Sequence, residues 1–144
     1  MILAYSLNHY SNNDLENVND KFYFGSYIPE LLSGGDSLTV STGNIQYFIT
    51  GNLCFLSCAI WADINNPNSD TIKLSLPYGI KPISRRNYGW VGYHQSKSIE
   101  TMYVLIQEID NCIIFEKPIA TGSAGVKGTD MNYLTIQFSI TFAI

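Results

Sequence analysis

Charge is what this chain has least of. Only 14% of its 144 residues are Asp, Glu, Lys or Arg, against roughly 25% in ordinary soluble domains. The eight Lys and Arg are scattered and the net charge is −4. The basic face with which a protein grips nucleic acid is therefore missing, and no nucleic-acid partner is expected. No apolar run reaches the roughly 18 residues of a membrane span, so no membrane insertion is expected. Met1 to Asn8 lacks the positive n-region of a secretory signal and turns polar early, which predicts synthesis in a cytoplasm.

Cysteine and histidine are also few. His9 and His94 stand at no metal-ligand spacing with each other or with a cysteine, so neither a zinc site nor any cofactor is expected. Cys54 and Cys58 lie four residues apart on one predicted strand, which separates them by about 13 Å and forbids a bridge. With Cys112 the count is odd. Reduced, buried thiols acting as small hydrophobes are the expectation. The P-loop signature is absent as well: in Gly122–Thr129 (GSAGVKGT), Lys127 follows Val126 and precedes Gly128, and no helix pattern follows,.

What the chain has is apolar and aromatic matter: 46% hydrophobic residues and ten Tyr. One domain of this length buries roughly two thirds of its unfolded surface. The rest must be covered by Asn, Ser, Thr and Tyr, or by other subunits; Tyr is enriched on half-wet surfaces.

Strands dominate the pattern. Leu134, Ile136, Phe138, Ile140 and Phe142 alternate with polar residues and predict a half-buried strand,. Leu53–Ala62 is apolar on both faces and reads as a central strand buried on each side. Ile72, Leu74 and Leu76 share a face opposite Lys73 and Ser75. Ile99–Ile109 alternates in part, with Tyr103, Leu105, Gln107 and Ile109 opposite Val104 and Ile106. Asn87–Tyr93 (NYGWVGY) reads as a strand with a bulge or a close backbone approach. Lys21–Ile28, Ser37–Ser41 and Cys112–Glu116 complete the set. Turn signals fall at Gly34-Gly35-Asp36, Thr42-Gly43-Asn44, Gly51-Asn52, Asn65–Asn68 and Asp110-Asn111,. Lys117–Asn132 reads as a surface loop. Only Asn12–Asp20 has helical character, for one or two turns. The predicted organisation is an N-terminal arm or short anchor over residues 1–20 and a single domain over 21–144. The fold class is all-β, a sandwich or jelly roll.

Catalytic signatures are weak. No G-x-S-x-G elbow is present. Glu100, Glu108, Asp110 and Glu116 read as solvated charges near strand ends, and the Asp63–Asp70 loop lacks the acidic spacing of a calcium site,. No enzyme is expected. The one chemical grouping with a function is aromatic. Tyr88, Trp90 and Tyr93, flanked by Arg85 and His94, have the composition of a saccharide platform, with rings to stack on sugar faces and cations to donate to hydroxyls. Its competitor is packing of the same rings in the sheet or at a subunit seam.

Tyr47-Phe48-Ile49-Thr50-Gly51-Asn52-Leu53-Cys54, followed some twenty residues later by Ile72-Lys73-Leu74-Ser75-Leu76-Pro77-Tyr78, resembles a pattern of bacteriophage fibre head or knob domains: Tyr-x-x-x-Gly-Asn-apolar-x-apolar, a strand ending Leu-Pro-Phe/Tyr, then Gly-rich aromatic strands. The resemblance covers roughly residues 45–116. It implies a β-sandwich or jelly roll, usually trimeric, that binds host saccharide or decorates a virion. This chain departs from the pattern in its long terminal strand, Leu134–Ile144, and in having no fibrous stalk before the head. A small fibre or decoration subunit of a virion is thus expected, with itself as a homotrimer, other virion proteins and host glycan as partners. A cellular lectin-like module is the alternative, and a glycan-active enzyme the third.

Overall fold

A computed structural model describes residues 22–83, 86–96, 98–131 and 133–144. The arm predicted over residues 1–20, the turn of helix at Asn12–Asp20 and Arg85 lie outside the described residues.

The fold is all-β and antiparallel. Ten strands are described: β1 Phe22–Tyr27, β2 Leu31–Ser33, β3 Ser37–Thr50, β4 Leu53–Asn65, β5 Lys73–Leu74, β6 Asn87–His94, β7 Tyr103–Ile106, β8 Ile113–Ile119, β9 Gly122–Gly125 and β10 Tyr133–Ala143. They form one sheet in the order β1-β3-β4-β10-β6-β7-β8-β5-β2, with β9 off this path and paired with Glu116–Ile119 of β8. β1 and β2 stand at opposite ends of that order, yet only Ile28–Glu30 separates them in the chain. The sheet must therefore curl back on itself, and it forms a half-barrel. Three hydrogen bonds tie the joint. The Tyr27 hydroxyl donates to Ser75 O at 2.9 Å, Ser75 N–H donates to Glu30 O at 3.0 Å, and Glu30 N–H donates to Ser75 Oγ at 2.9 Å.

The turn at Gly51-Asn52 sets the longest hairpin. A two-residue connection with Gly51 at φ 56° places Thr50 opposite Leu53 and Phe48 opposite Phe55,. β4 then pairs with β10 along its whole length, from Tyr133↔Asp63 to Ala143↔Leu53. The inner face of these strands is the core: Tyr47, Leu56, Ile60, Ile136 and Phe142 are buried, along with Leu74, Val104, Ile106 and Phe115 from the other half of the sheet. Cys54, Cys58 and Cys112 are free and buried. Burial pushes the Cys54 and Cys58 thiols up to about 12, and Cys112 up to about 11, which makes them poor nucleophiles.

Four expectations need correction. β4 is central but not buried on each side. Its pattern alternates strictly, with Cys54, Leu56, Cys58 and Ile60 inside and Leu53, Phe55, Ser57 and Trp61 outside. A single curled layer has one interior, and no described element covers the convex side of this strand. Thr42-Gly43-Asn44 is not a turn, because β3 runs through it with a register shift between Val40 and Thr42. Gly43 there takes φ 91° and presses on the Ala59 carbonyl, 1.9 Å from where a Cβ would stand. Lys117–Asn132 is not a free loop. β8 continues to Ile119 and returns as β9, and a 3-10 turn at Gly128–Asp130 follows. Val126 and Met131 anchor that segment in the core. The strand expected over Ile99–Ile109 is confined to Tyr103–Ile106. Val104 and Ile106 face the main core, while Leu105 packs with Cys112 and Ile114 in a small second cluster.

Candidate functional site: a groove on the outer face

The outer face of the long strands carries two ladders of side chains. In the first, Phe24 pairs with Phe48, Phe48 with Phe55, and Phe55 with Thr141. In the second, Ser26 pairs with Gln46, Gln46 with Ser57, and Ser57 with Ser139. β6 adds Tyr88 and Trp90 beyond β10. Between the rings of Phe48 and Phe55 on one side and of Tyr88 and Trp90 on the other, the sheet bears only short or amide groups: Gln46, Ser57, Ser139 and Thr141. The result is an open groove of about 1000 Å³, aromatic at its walls and hydroxyl-rich along its floor.

Packing fixes both walls. Phe48 stacks on Phe22 at 5.7 Å and 17°, and tilts against Phe55 at 6.0 Å. Trp90 leans on Tyr103 at 5.3 Å and 56°. Arg86 Nη1 donates to the Tyr88 hydroxyl at 3.3 Å. β6 can lie close to β10 because residue 89 is Gly. A Cβ there would come within 2.5 Å of Ser139 O and 2.8 Å of Val104 Cγ1. The bulge anticipated in NYGWVGY is present, as a register shift opposite Gln137/Phe138.

Trp90 is 70% exposed and Tyr88 is 51% exposed. In the isolated chain these rings do not pack inside the sheet. Of the five candidate residues, the structure brings Tyr88 and Trp90 together at the groove. Tyr93 and His94 lie past the bulge, outside its lining. Tyr93 is exposed and accepts from Gln95 Nε2 at 3.4 Å, while His94 is half-buried and its Nδ1 accepts from Ser96 N–H at 3.3 Å. Arg85 is outside the described residues, and its neighbour Arg86 holds the cationic position against Tyr88.

Sequence reasoning did not single out Phe24, Phe48 and Phe55 as one wall of a site. The signal was present. The two-residue turn at Gly51-Asn52 fixes Phe48 opposite Phe55, and period two then sets both on the face opposite Tyr47 and Leu56.

A second, smaller cleft of about 370 Å³ lies on the far side of Tyr88 and Trp90, bounded by Tyr103, Glu116 and Ser123. The Ser123 hydroxyl donates to Glu116 Oε2 at 2.9 Å. The other acids go elsewhere. Asp110 accepts from Gln107 and pairs with Lys73 at 3.2 Å, Asp130 pairs with Lys117 at 3.0 Å, and Glu100 and Glu108 are exposed. Among the described residues no cluster of three His, Cys, Asp or Glu stands at metal-binding distance, and no helix is long and apolar enough to cross a membrane. No protein-family model matches the chain significantly, and neither does any curated protein or solved structure.

Proposed function

We propose that this protein is a virion structural subunit of the fibre-head or decoration type, a sandwich- or jelly-roll-like knob that assembles as a homotrimer and binds host surface saccharide in the outer groove. The observation that carries the binding role is an exposed Trp90 standing over a hydroxyl-floored, aromatic-walled groove on rigid strands. Rings stack on the apolar faces of sugars, and Ser, Thr and Gln side chains exchange hydrogen bonds with sugar hydroxyls. The resemblance of residues 45–116 to phage fibre heads supports the virion setting. Low charge and the apolar outer face support a trimer. Three weak sites on one knob raise avidity without a strong single contact.

The outer face also favours a second reading. Phe22, Phe24, Phe55 and Trp61 are half-exposed apolar side chains, of the kind found at subunit seams. On that reading the groove is closed by a neighbouring copy.

The test pairs glycan-array binding and host adsorption with sizing by light scattering, for the wild type and Trp90→Ala. The expected result is a trimer in both proteins and loss of binding in the variant. A monomeric mass at all concentrations overturns the trimer. Unchanged adsorption by a folded Trp90→Ala protein overturns the groove as the binding site. Collapse of the trimer in that variant establishes the seam.

A further inference from the structure

We infer that Tyr88 and Trp90 form a ridge between two subsites, and that the protein takes a linear, uncharged or amino-bearing glycan across that ridge, with Glu116 as the polar anchor of the smaller cleft. This rests on the saccharide reading above and extends it to the class of sugar and its length.

The geometry is that of a shared wall. Tyr88, Gly89 and Trp90 line both depressions. Tyr88 and Trp90 are two apart on β6, so period two sets both rings on the outer face, while the backbone of Gly89 lies against Ser139 and Val104 on the inner side,. The larger groove and the smaller cleft measure about 1000 and 370 Å³, both within the range of ligand sites, roughly 300–1,000 Å³. The two differ in chemistry. The larger has neutral hydroxyls and an amide at its floor. The smaller pairs the Tyr103 ring with a carboxylate. Trp90 leans on Tyr103, so a chain stacked on the indole passes from one depression into the other.

Glu116 sets the selectivity. Its described partner is the Ser123 hydroxyl, and neither of the ion pairs among the described residues includes it. Ser123 occupies one carboxylate oxygen and leaves the other to accept. A carboxylate accepts from sugar hydroxyls or from an ammonium, and it repels the carboxylates of uronic and sialic acids. The ligand class that fits both depressions is therefore a neutral or amino sugar chain long enough to cover the ridge.

The experiment is calorimetric titration of the full chain with glucose, mannose and N-acetylglucosamine oligomers from disaccharide to hexasaccharide, and with oligogalacturonates of the same lengths. At least one neutral ladder should gain roughly tenfold or more in affinity with length, and the acidic ladder should bind weakly at every length. Ser123→Tyr fills the smaller cleft, so it should remove the affinity gained between the disaccharide and the hexasaccharide. Glu116→Gln should reduce the length gain and admit the oligogalacturonates. Both positions lie on strand surfaces where such residues fold well, and unchanged thermal melting checks this. A neutral ladder that binds at Trp90 without a length gain, or an acidic ladder that binds as tightly, overturns the two-subsite inference alone. Failure of every neutral ladder to bind overturns the saccharide reading, and this inference with it.

Discussion

Both faces of β4 carry large apolar side chains, yet the two have opposite fates. Cys54, Leu56, Cys58, Ile60 and Ala62 are buried, whereas Leu53, Phe55, Ala59 and Trp61 are exposed. Its partner β10 is different: the outer positions Gln137, Ser139 and Thr141 are polar and the inner ones are apolar. Side-chain chemistry thus reports burial along Ile136–Phe142 of β10, Thr135 before it being polar and buried, and misreports it on β4. Layering decides burial, and a curled single sheet offers one interior. An apolar residue on its outer face stays partly open in the isolated chain. Packing in the core therefore does not account for the apolar side chains on the outside of β4.

The comparison is sharpest in stability. Ile60→Ala removes a fully buried side chain from the inner face and should cost about 2–5 kcal/mol in reversible urea unfolding. A loss below about 1 kcal/mol would mean that the inner face is not the core. Next in size is Gly43→Ala. The residue sits in the β3 bulge at φ 91°, with the Ala59 carbonyl in the place of a Cβ. Strain at such a position costs on the order of 1–3 kcal/mol, here joined by a backbone clash. An unchanged melting temperature would show that β3 and β4 do not approach there as described.

The legible parts of this fold were those specified by local chemistry. Period two along Leu134–Phe142 gave β10 and its inner face, and Gly51-Asn52 gave the β3–β4 hairpin. The glycines of NYGWVGY announced both the close approach at Gly89 and the bulge. What local chemistry does not encode is long-range pairing. Thr42-Gly43-Asn44 looks like a turn because Gly and Asn favour one, yet pairing with β4 on both sides draws it into a bulge. GSAGVKGT looks mobile because it is rich in small residues, yet β8 supplies the ladder that makes Gly122–Gly125 a strand. For the site, the aromatic half at Tyr88 and Trp90 was readable as composition. The opposite wall, Phe48 and Phe55, was set by the hairpin turn, but that it faces Tyr88 and Trp90 needed the pairing of β10 with both β4 and β6, between residues far apart in sequence.

The outer face supplies the third test. Phe55 is 39% exposed, so Phe55→Ala should cost less than about 1 kcal/mol in the isolated chain, the range of ordinary surface changes being narrower still. Its effect should appear instead in glycan binding or in assembly, read by titration and light scattering on the same sample. A loss of about 3 kcal/mol or more would restore the doubly buried β4 and remove the contrast between the faces.

The smallest expected effect separates the two halves of the sheet. The long strands β3, β4 and β10 rely on apolar alternation, while the short strands are cross-tied by both described ion pairs, Lys73–Asp110 and Lys117–Asp130. A hydrogen bond from the Gln107 side chain holds the Asp110 carboxyl below its ordinary value, overcoming burial, with the Lys73 ammonium assisting. Burial pushes Asp130 up, but the Lys127 amide and the Lys117 ammonium outweigh it, and this carboxyl too lies low. A folded-state value below the unfolded one contributes stability that is present above the unfolded pKa of about 3.9 and is lost as pH falls through the folded value. Both pairs are partly open to solvent, so each contributes no more than about 1 kcal/mol. Stability should therefore decline below about pH 4, and the double variant Asp110→Asn, Asp130→Asn should show a shallower decline across that window. Hydrogen exchange locates the change: amides of β5 and β8 should lose protection in acid before those of β4 and β10. An acid decline of the same slope in the variant, or simultaneous loss of protection in both halves, would show that the sheet unfolds as one unit and that these pairs do not set its acid limit.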